Sequence, residues 1–327
     1  MIKIHLDTDL GGDIDDLCAL AFVLSHPGVQ LVGVTTVADE NGRRAGYARY
    51  ALGLAGASSV PVAAGADVSL GRFRFRPGYP PHERYWPEPI PTAPGPLDAA
   101  LDLLQSAISE DAVIVGIGPF TNLALLERRT PGALSALGPG GLVLMGGHVR
   151  PVPDGFPQWS SDEGDYNVQL DVAAARIVLE RSRPTLVPIE ATVQTALRRV
   201  HLTSLRRAGA LGELVARQAE ACALDWRNEE RYGQTCTGLP DDAITFLHDP
   251  LACAAAVGWE GVEIETLPLA LHEAGATLHQ RVAPRGRETR VVTRVDGAAF
   301  SDRWCATLVE AAERRAAGER GPGQHAP

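Results

Sequence analysis

Along the first 260 residues, short runs of Val, Ile and Leu take turns with longer segments rich in Ala, Leu and Arg. The runs at 2–7, 31–37, 60–64, 112–118, 141–145 and 185–190 are nearly continuous in apolar residues rather than alternating. Strands covered by helices on both faces have that pattern. The segments at 16–25, 42–55, 97–109, 122–128, 172–181, 201–223 and 250–257 read as helices. Such alternation predicts an α/β fold with a mostly parallel, doubly wound central sheet flanked by helices. No linker interrupts the rhythm, so a single domain over 1–317 is expected, with 318–327 as a disordered tail. Two Pro- and Gly-rich stretches, 71–96 and 150–165, break it; insertions of this kind in compact domains are usually functional or mobile. Beyond residue 275 the pattern predicts a strand at 290–295 and a last helix at 301–315.

Composition narrows the function classes. The 327 residues are 45% hydrophobic and 21% charged, ordinary values for a globular chain. Thirty basic against forty acidic residues leave a net charge of −10, which argues against nucleic-acid binding. No apolar run reaches about 18 residues, so no membrane span is expected. The opening MIKIHLDTDL lacks the apolar stretch of a secretory signal. Cys18, Cys222, Cys236, Cys253 and Cys305 have no CxxC spacing, and reduced thiols in a cytoplasmic protein are the expectation.

The densest chemistry follows the first strand. Asp7, Asp9, Asp13, Asp15 and Asp16 fall within ten residues at the end of a strand where open α/β sheets bind ligands. Two carboxylates about 4 Å apart repel by about 4 kcal/mol at an effective dielectric near 20, so the cluster demands a cation or raised pKa values. All-oxygen ligands favour calcium or magnesium over zinc. Helix capping would account for one or two of these acids, Asp13 and Asp15 first, but hardly for five. A strand ending Asp-x-Asp also opens the aspartyl-phosphate phosphatases, with Asp7 as nucleophile and Asp9 as acid/base. That chemistry needs a downstream lysine, and Lys3 is the only lysine in the chain.

A second polar motif, His248-Asp249-Pro250, stands before a helical segment near the other end. Read alone, Asp249 could simply cap that helix. Two glycine-containing loops, Val115-Gly116-Ile117-Gly118-Pro119-Phe120-Thr121-Asn122 and Met145-Gly146-Gly147-His148, also follow strands, and glycine there lets the backbone approach a ligand.

DTDLGGDIDD, VTTVADEN, VGIGPFTNLAL, LVLMGG, DYNVQLDVAAA and LHDPLACA occur in the order used by the inosine–uridine-preferring nucleoside hydrolases. Over roughly residues 2–315 the chain resembles that family. The resemblance implies a Rossmann-like nucleoside hydrolase fold, hydrolysis of ribonucleosides to base and ribose, one bound calcium ion, and a homodimer or homotetramer. It implies that Asp9 ligates calcium and takes the proton of the attacking water. Asp16 is then a bidentate ligand, Asp249 and the Ile117 carbonyl complete the set, and Asp15 bonds the ribose. Asn167 and Asp165 match residues on the ribose 5′ side, Met145 lines the sugar pocket, and Asn41 is a further ribose candidate. His248 is the candidate donor to the departing base, since histidine titrates near neutral pH. A calcium-dependent ribose-binding protein without turnover is the non-enzymatic alternative.

The chain also departs from the family pattern. Leu10 replaces a proline, and two extra residues separate Asp9 from Asp15, so Asp13 competes for the ribose-side role. Asp165 replaces a longer glutamate. Where relatives carry a His-Gly-x-x-Gly flap, this chain has Tyr79-Pro80-Pro81-His82-Glu83-Arg84-Tyr85-Trp86. His82 is a candidate contact to the base there, and Trp86 or Tyr85 a candidate stacking partner. Arg72, Arg74, Arg76 and Arg84 are expected to concentrate positive charge near the pocket mouth, and 225–232 forms a second candidate flap.

Overall fold

A computed structural model describes residues 1–71, 75, 79–161 and 165–319. The strands are β1 (Ile2–Thr8), β2 (Val29–Thr36), β3 (Val62–Ala64), β4 (Val113–Gly116), β5 (Leu142–Met145), β6 (Thr185–Val187), β7 (Ala196–Arg198), β8 (Ala243–Phe246), β9 (Val262–Ala274), β10 (Thr277–Val282) and β11 (Arg287–Val295). The longer helices are α1 (Asp15–Ser25), α2 (Arg43–Leu54), α3 (Leu97–Ser109), α4 (Thr121–Arg129), α5 (Val172–Arg181), α6 (Gly209–Trp226), α7 (His248–Ala256) and α8 (Gly297–Glu319).

Nine strands form one sheet in the order β10-β9-β11-β6-β5-β4-β1-β2-β3. From β3 across to β6 every pairing is parallel, which is the doubly wound arrangement expected from the buried strand runs. The connections reverse direction between β1 and β4, and loops leaving the carboxyl ends of those two strands open a crevice. One core lies against α1, α2, α6, α7 and α8, and a second packs α3, α4 and α5 on the opposite face. Helix α7 packs on both α1 and β5, bringing the motif at 248–250 beside the acidic loop.

The pattern missed a β-hairpin. β9 and β10 pair antiparallel around Gly275, the first residue of a two-residue turn with φ +64°. Both strands lie toward the sheet edge and are half exposed, so their charged positions hide the strand signal. β7 and β8 form a separate two-stranded ribbon, also unforeseen. The helix expected at 201–223 is broken, because Gly209 takes a left-handed φ of +79° and restarts it as α6. The strand expected to reach residue 190 ends at Val187, where Pro188 turns the chain into a helical turn at Ile189–Thr192. α8 runs to Glu319; the rest of the expected tail, like Arg72, Arg74 and Arg76, lies outside the described residues. No described helix is long and apolar enough to cross a membrane, and all five cysteines are free thiols.

Candidate active site

The site begins where β1 ends. Asp7 is 1% exposed, and its Oδ1 accepts from Thr35 Oγ1 at 2.6 Å and Asn122 Nδ2 at 2.8 Å. Burial pushes its carboxyl up to about 7. Asp7 thus ties β1 to β2 and to the start of α4, a framework role rather than that of an exposed nucleophile. The chain then turns through Gly11, whose φ is +107° and whose missing side chain admits the Tyr47 ring: a β-carbon there would stand 2.5 Å from it. Asp13 caps the turn by accepting from the Ile14 N–H at 2.6 Å.

Asp15 and Asp16 open α1, and Asp249 stands in the first turn of α7. Each offers a carboxylate oxygen, and these atoms lie within 4.8 Å of one another. All three are buried. Burial first, and repulsion from neighbouring carboxylates second, push Asp15 and Asp249 well above the usual carboxylate range; Asp16 rises for the same reasons while Thr8 Oγ1 donates to it. A trio of hard oxygen donors carrying unrelieved negative charge fits a divalent cation. Adjacent positions on a helix do not share a face, which gave Asp15 and Asp16 different expected partners. At the helix start their carboxylates instead converge on Asp249.

Asp9 stands outside this trio. Its side chain is 23% exposed, and Oδ2 lies 3.7 Å from Nη2 of Arg44. Gly118 makes room for it, since a β-carbon there would meet the Asp9 backbone nitrogen and Oδ1 at 2.9 Å. Burial raises the Asp9 carboxyl and Arg44 opposes the rise. The Ile117 carbonyl accepts from Asn167 Nδ2 at 3.0 Å, and the same amide reaches the Met145 carbonyl at 3.1 Å and its sulfur at 3.2 Å. Ile117, Met145 and Asn167 are therefore one buried unit bridging the ends of β4 and β5. Asp165 is buried and raised to about 6 by desolvation, and it caps the turn that carries Asn167.

His248 adjoins the trio. Its Nδ1 meets Thr192 Oγ1 at 2.7 Å, and burial lowers its pKa to about 4, so the imidazole is neutral near pH 7. Around it stand Phe246 at 5.3 Å and Trp159 at 6.2 Å between ring centroids, and Tyr232 packs on both of those aromatics. Trp159 was not foreseen; it sits in a Pro/Gly-rich stretch with no periodicity to mark it.

The flap residues are placed otherwise than expected. Trp86 is 3% exposed and lies flat on Tyr47 at 4.1 Å, so that face is closed to a base. Tyr85 is buried with its hydroxyl on Asp225 at 3.2 Å, and Arg84 pairs with the same carboxylate. His82 engages Tyr47 Oη at 3.4 Å and the Glu88 carbonyl at 2.8 Å. Asn41, at φ +56°, is exposed and lines a separate surface cavity with Asp39 and Ser69; none of the carboxylates of the 9–16 loop borders it. Arg44 was missed altogether. Its signal was its place in the stripe Arg44, Tyr47, Ala48, Ala51, all buried on α2, where an arginine reads as apolar-face spacing.

A family model described as inosine-uridine preferring nucleoside hydrolase matches residues 4–302. The inosine-uridine preferring nucleoside hydrolase of Leishmania major is 26% identical over 336 residues, covering 95% of this chain and 98% of that protein. The pyrimidine-specific ribonucleoside hydrolase RihA of Shewanella woodyi is 27% identical, covering 91% and 95%. Among solved structures, the purine-preferring ribonucleoside hydrolase from Gardnerella vaginalis superimposes with a TM-score of 0.74 at 22% identity, over 95% of this chain and 99% of that one.

Proposed function

The chain belongs to the inosine-uridine preferring nucleoside hydrolase family, and from that premise we propose that it cleaves the N-glycosidic bond of ribonucleosides with the help of a calcium ion held by Asp15, Asp16 and Asp249. The observation that carries the reading is the convergence of those three buried carboxylates beside His248. Asp9 and the Ile117 carbonyl are the next oxygens available to the same ion. Calcium, when bound, orients the sugar hydroxyls and lowers the pKa of a water it holds.

Asp9, 23% exposed, would take the proton of a water that adds to the anomeric carbon. The surrounding carboxylates favour the positive charge that develops on the sugar ring as the bond to the base breaks. Asn167 and Asp165 border the sugar at the ends of β4 and β5, with Met145 beneath it. With Nδ1 engaged by Thr192, His248 offers Nε2 to the departing base. Trp159 and Tyr232, half-buried beside His248, are the aromatic wall for that base in place of Trp86. A cytoplasmic homodimer or homotetramer completes the proposal; light scattering at micromolar concentration that returns a monomer mass overturns the assembly.

Release of reducing sugar from a panel of purine and pyrimidine ribonucleosides, with calcium and with chelator, tests the activity. We expect release from at least one nucleoside with calcium and its loss with chelator. No release from any nucleoside at saturating calcium refutes the proposal; release unaffected by chelator refutes the metal.

A further inference from the structure

The catalytic reading uses the charge of Arg44 beside Asp9 but not its hydrogen-bond donors. It lies in the first turn of α2, 3% exposed, and its Nε donates to the Ala38 carbonyl at 2.9 Å, which fixes the plane of the guanidinium. Nη2, at 3.7 Å from Asp9 Oδ2, is too far for a hydrogen bond. Nη1 is buried and has no hydrogen-bond partner among the described residues. Gly12 of the acid loop faces that nitrogen without a side chain; a β-carbon there would stand in ordinary contact with Nη1 at 3.8 Å. The Tyr79 ring lies against the guanidinium, 5.1 Å from Cζ to the centroid, and Tyr79 Oη is likewise buried without a hydrogen-bond partner among the described residues. Unspent donors on a buried cation and a buried phenol are unfavourable until an acceptor arrives.

We propose that Arg44 and Tyr79 form a subsite that reads one hydroxyl oxygen of the sugar beside Asp9, an inference that rests on the nucleoside hydrolase reading. The donor pattern selects a hydroxyl. Its oxygen accepts from Arg44 Nη1 and Tyr79 Oη, and its proton goes to the neighbouring carboxylate. A phosphate does not suit the place: the buried Asp15, Asp16 and Asp249 carboxylates already converge within 4.8 Å, Asp9 stands beside Arg44, and more negative charge would add to their repulsion. The planar guanidinium, held at Nε, presents Nη1 at a fixed angle that a lysine ammonium does not reproduce. A sugar lacking this hydroxyl leaves the donors unpaired in the complex, so Arg44 is a specificity-determining residue.

The test compares the parent enzyme with Arg44→Met, Arg44→Lys and Tyr79→Phe on a ribonucleoside and its 2′-, 3′- and 5′-deoxy analogues. Calcium alone is titrated calorimetrically into each variant to confirm that the carboxylate trio is intact. The Arg44 variants should lose about 10–100-fold in kcat/KM on the ribonucleoside, and Tyr79→Phe about 3–10-fold. Against one deoxy analogue those losses should largely vanish, which identifies the hydroxyl. Calcium should still bind every variant. Uniform loss on all substrates, or loss of calcium binding in Arg44→Met, overturns the inference while a working parent leaves the activity standing. If Arg44→Met does not fold, Tyr79→Phe, which removes a single oxygen, decides by the same criterion. A parent inert on every nucleoside overturns the functional reading, and the inference with it.

Discussion

Replacing Asp16 by asparagine should stabilise the cation-free protein and abolish its response to calcium. Asp16 shares its corner with Asp15 and Asp249, the candidate ligand atoms being no more than 4.8 Å apart. At an effective dielectric near 20, each ionised pair at that distance repels by roughly 3.5 kcal/mol. Proton uptake relieves part of this, and burial already drives all three carboxyls toward the protonated form. Groups whose folded pKa is raised bind more protons in the folded state. Without a cation, stability therefore falls as pH rises from the ordinary carboxylate value toward the raised ones. Asp16→Asn removes one member while its Oδ1 still accepts from Thr8 Oγ1. In chelator at mildly alkaline pH the variant should gain about 1–3 kcal/mol, on the order of 2 °C in Tm per kcal/mol. With calcium at a hundred times its Kd the parent should gain about 2.7 kcal/mol and the variant almost nothing. Thermal denaturation followed by circular dichroism, in chelator and in calcium, reads both effects. A variant less stable than the parent in chelator, yet equally stabilised by calcium, would refute the reasoning.

Two further outcomes are expected. His248→Ala should lower kcat on natural nucleosides by about 10²–10⁴-fold, yet barely affect a nitrophenyl riboside, whose leaving group needs no donor; equal loss on both substrates removes His248 from leaving-group chemistry. His5, buried on β1 with Nε2 on Thr35 Oγ1, is held down to about 3 by burial, so the unfolded chain binds its proton first and stability from this site falls as pH drops from about 6.5 toward 3. His5→Gln should remove that component, and parallel stability-versus-pH curves for parent and variant would contradict it.

The parallel core was legible because its strands are buried on both faces: Ile4, Leu6, Val34, Ile114 and Leu144 leave no ambiguity of pattern. The β9–β10 hairpin was not, since its half-exposed positions carry charges that read as loop. At the site, the acidic loop and the pair His248 and Asp249 stood out by residue type, which chemistry alone makes conspicuous. What the sequence concealed was direction. Nothing in the order of Asp13, Asp15 and Asp16 says that Asp15 turns toward Asp249 while Asp13 engages the Ile14 N–H and the Thr245 side chain. Trp86 carries the residue type of a stacking partner, but its neighbour across space, Tyr47, lies 39 positions away and takes its face. Arg44 and Trp159 were lost for the opposite reason: one sits among helix residues and the other among loop residues, where their types are unremarkable.

The packing of α7 against α1 has a consequence for the order of folding. Asp15 and Asp16 leave the ribosome more than two hundred residues before Asp249, and only the docking of one helix on the other joins them. Until then each carboxylate is separately hydrated and no fragment has the full ligand trio. Parallel strands closed by long crossovers form slowly, because distant segments must meet before their contacts repay the lost chain entropy. Cation capture is thus a late event in the life of the chain, coupled to completion of the fold rather than to its nucleation.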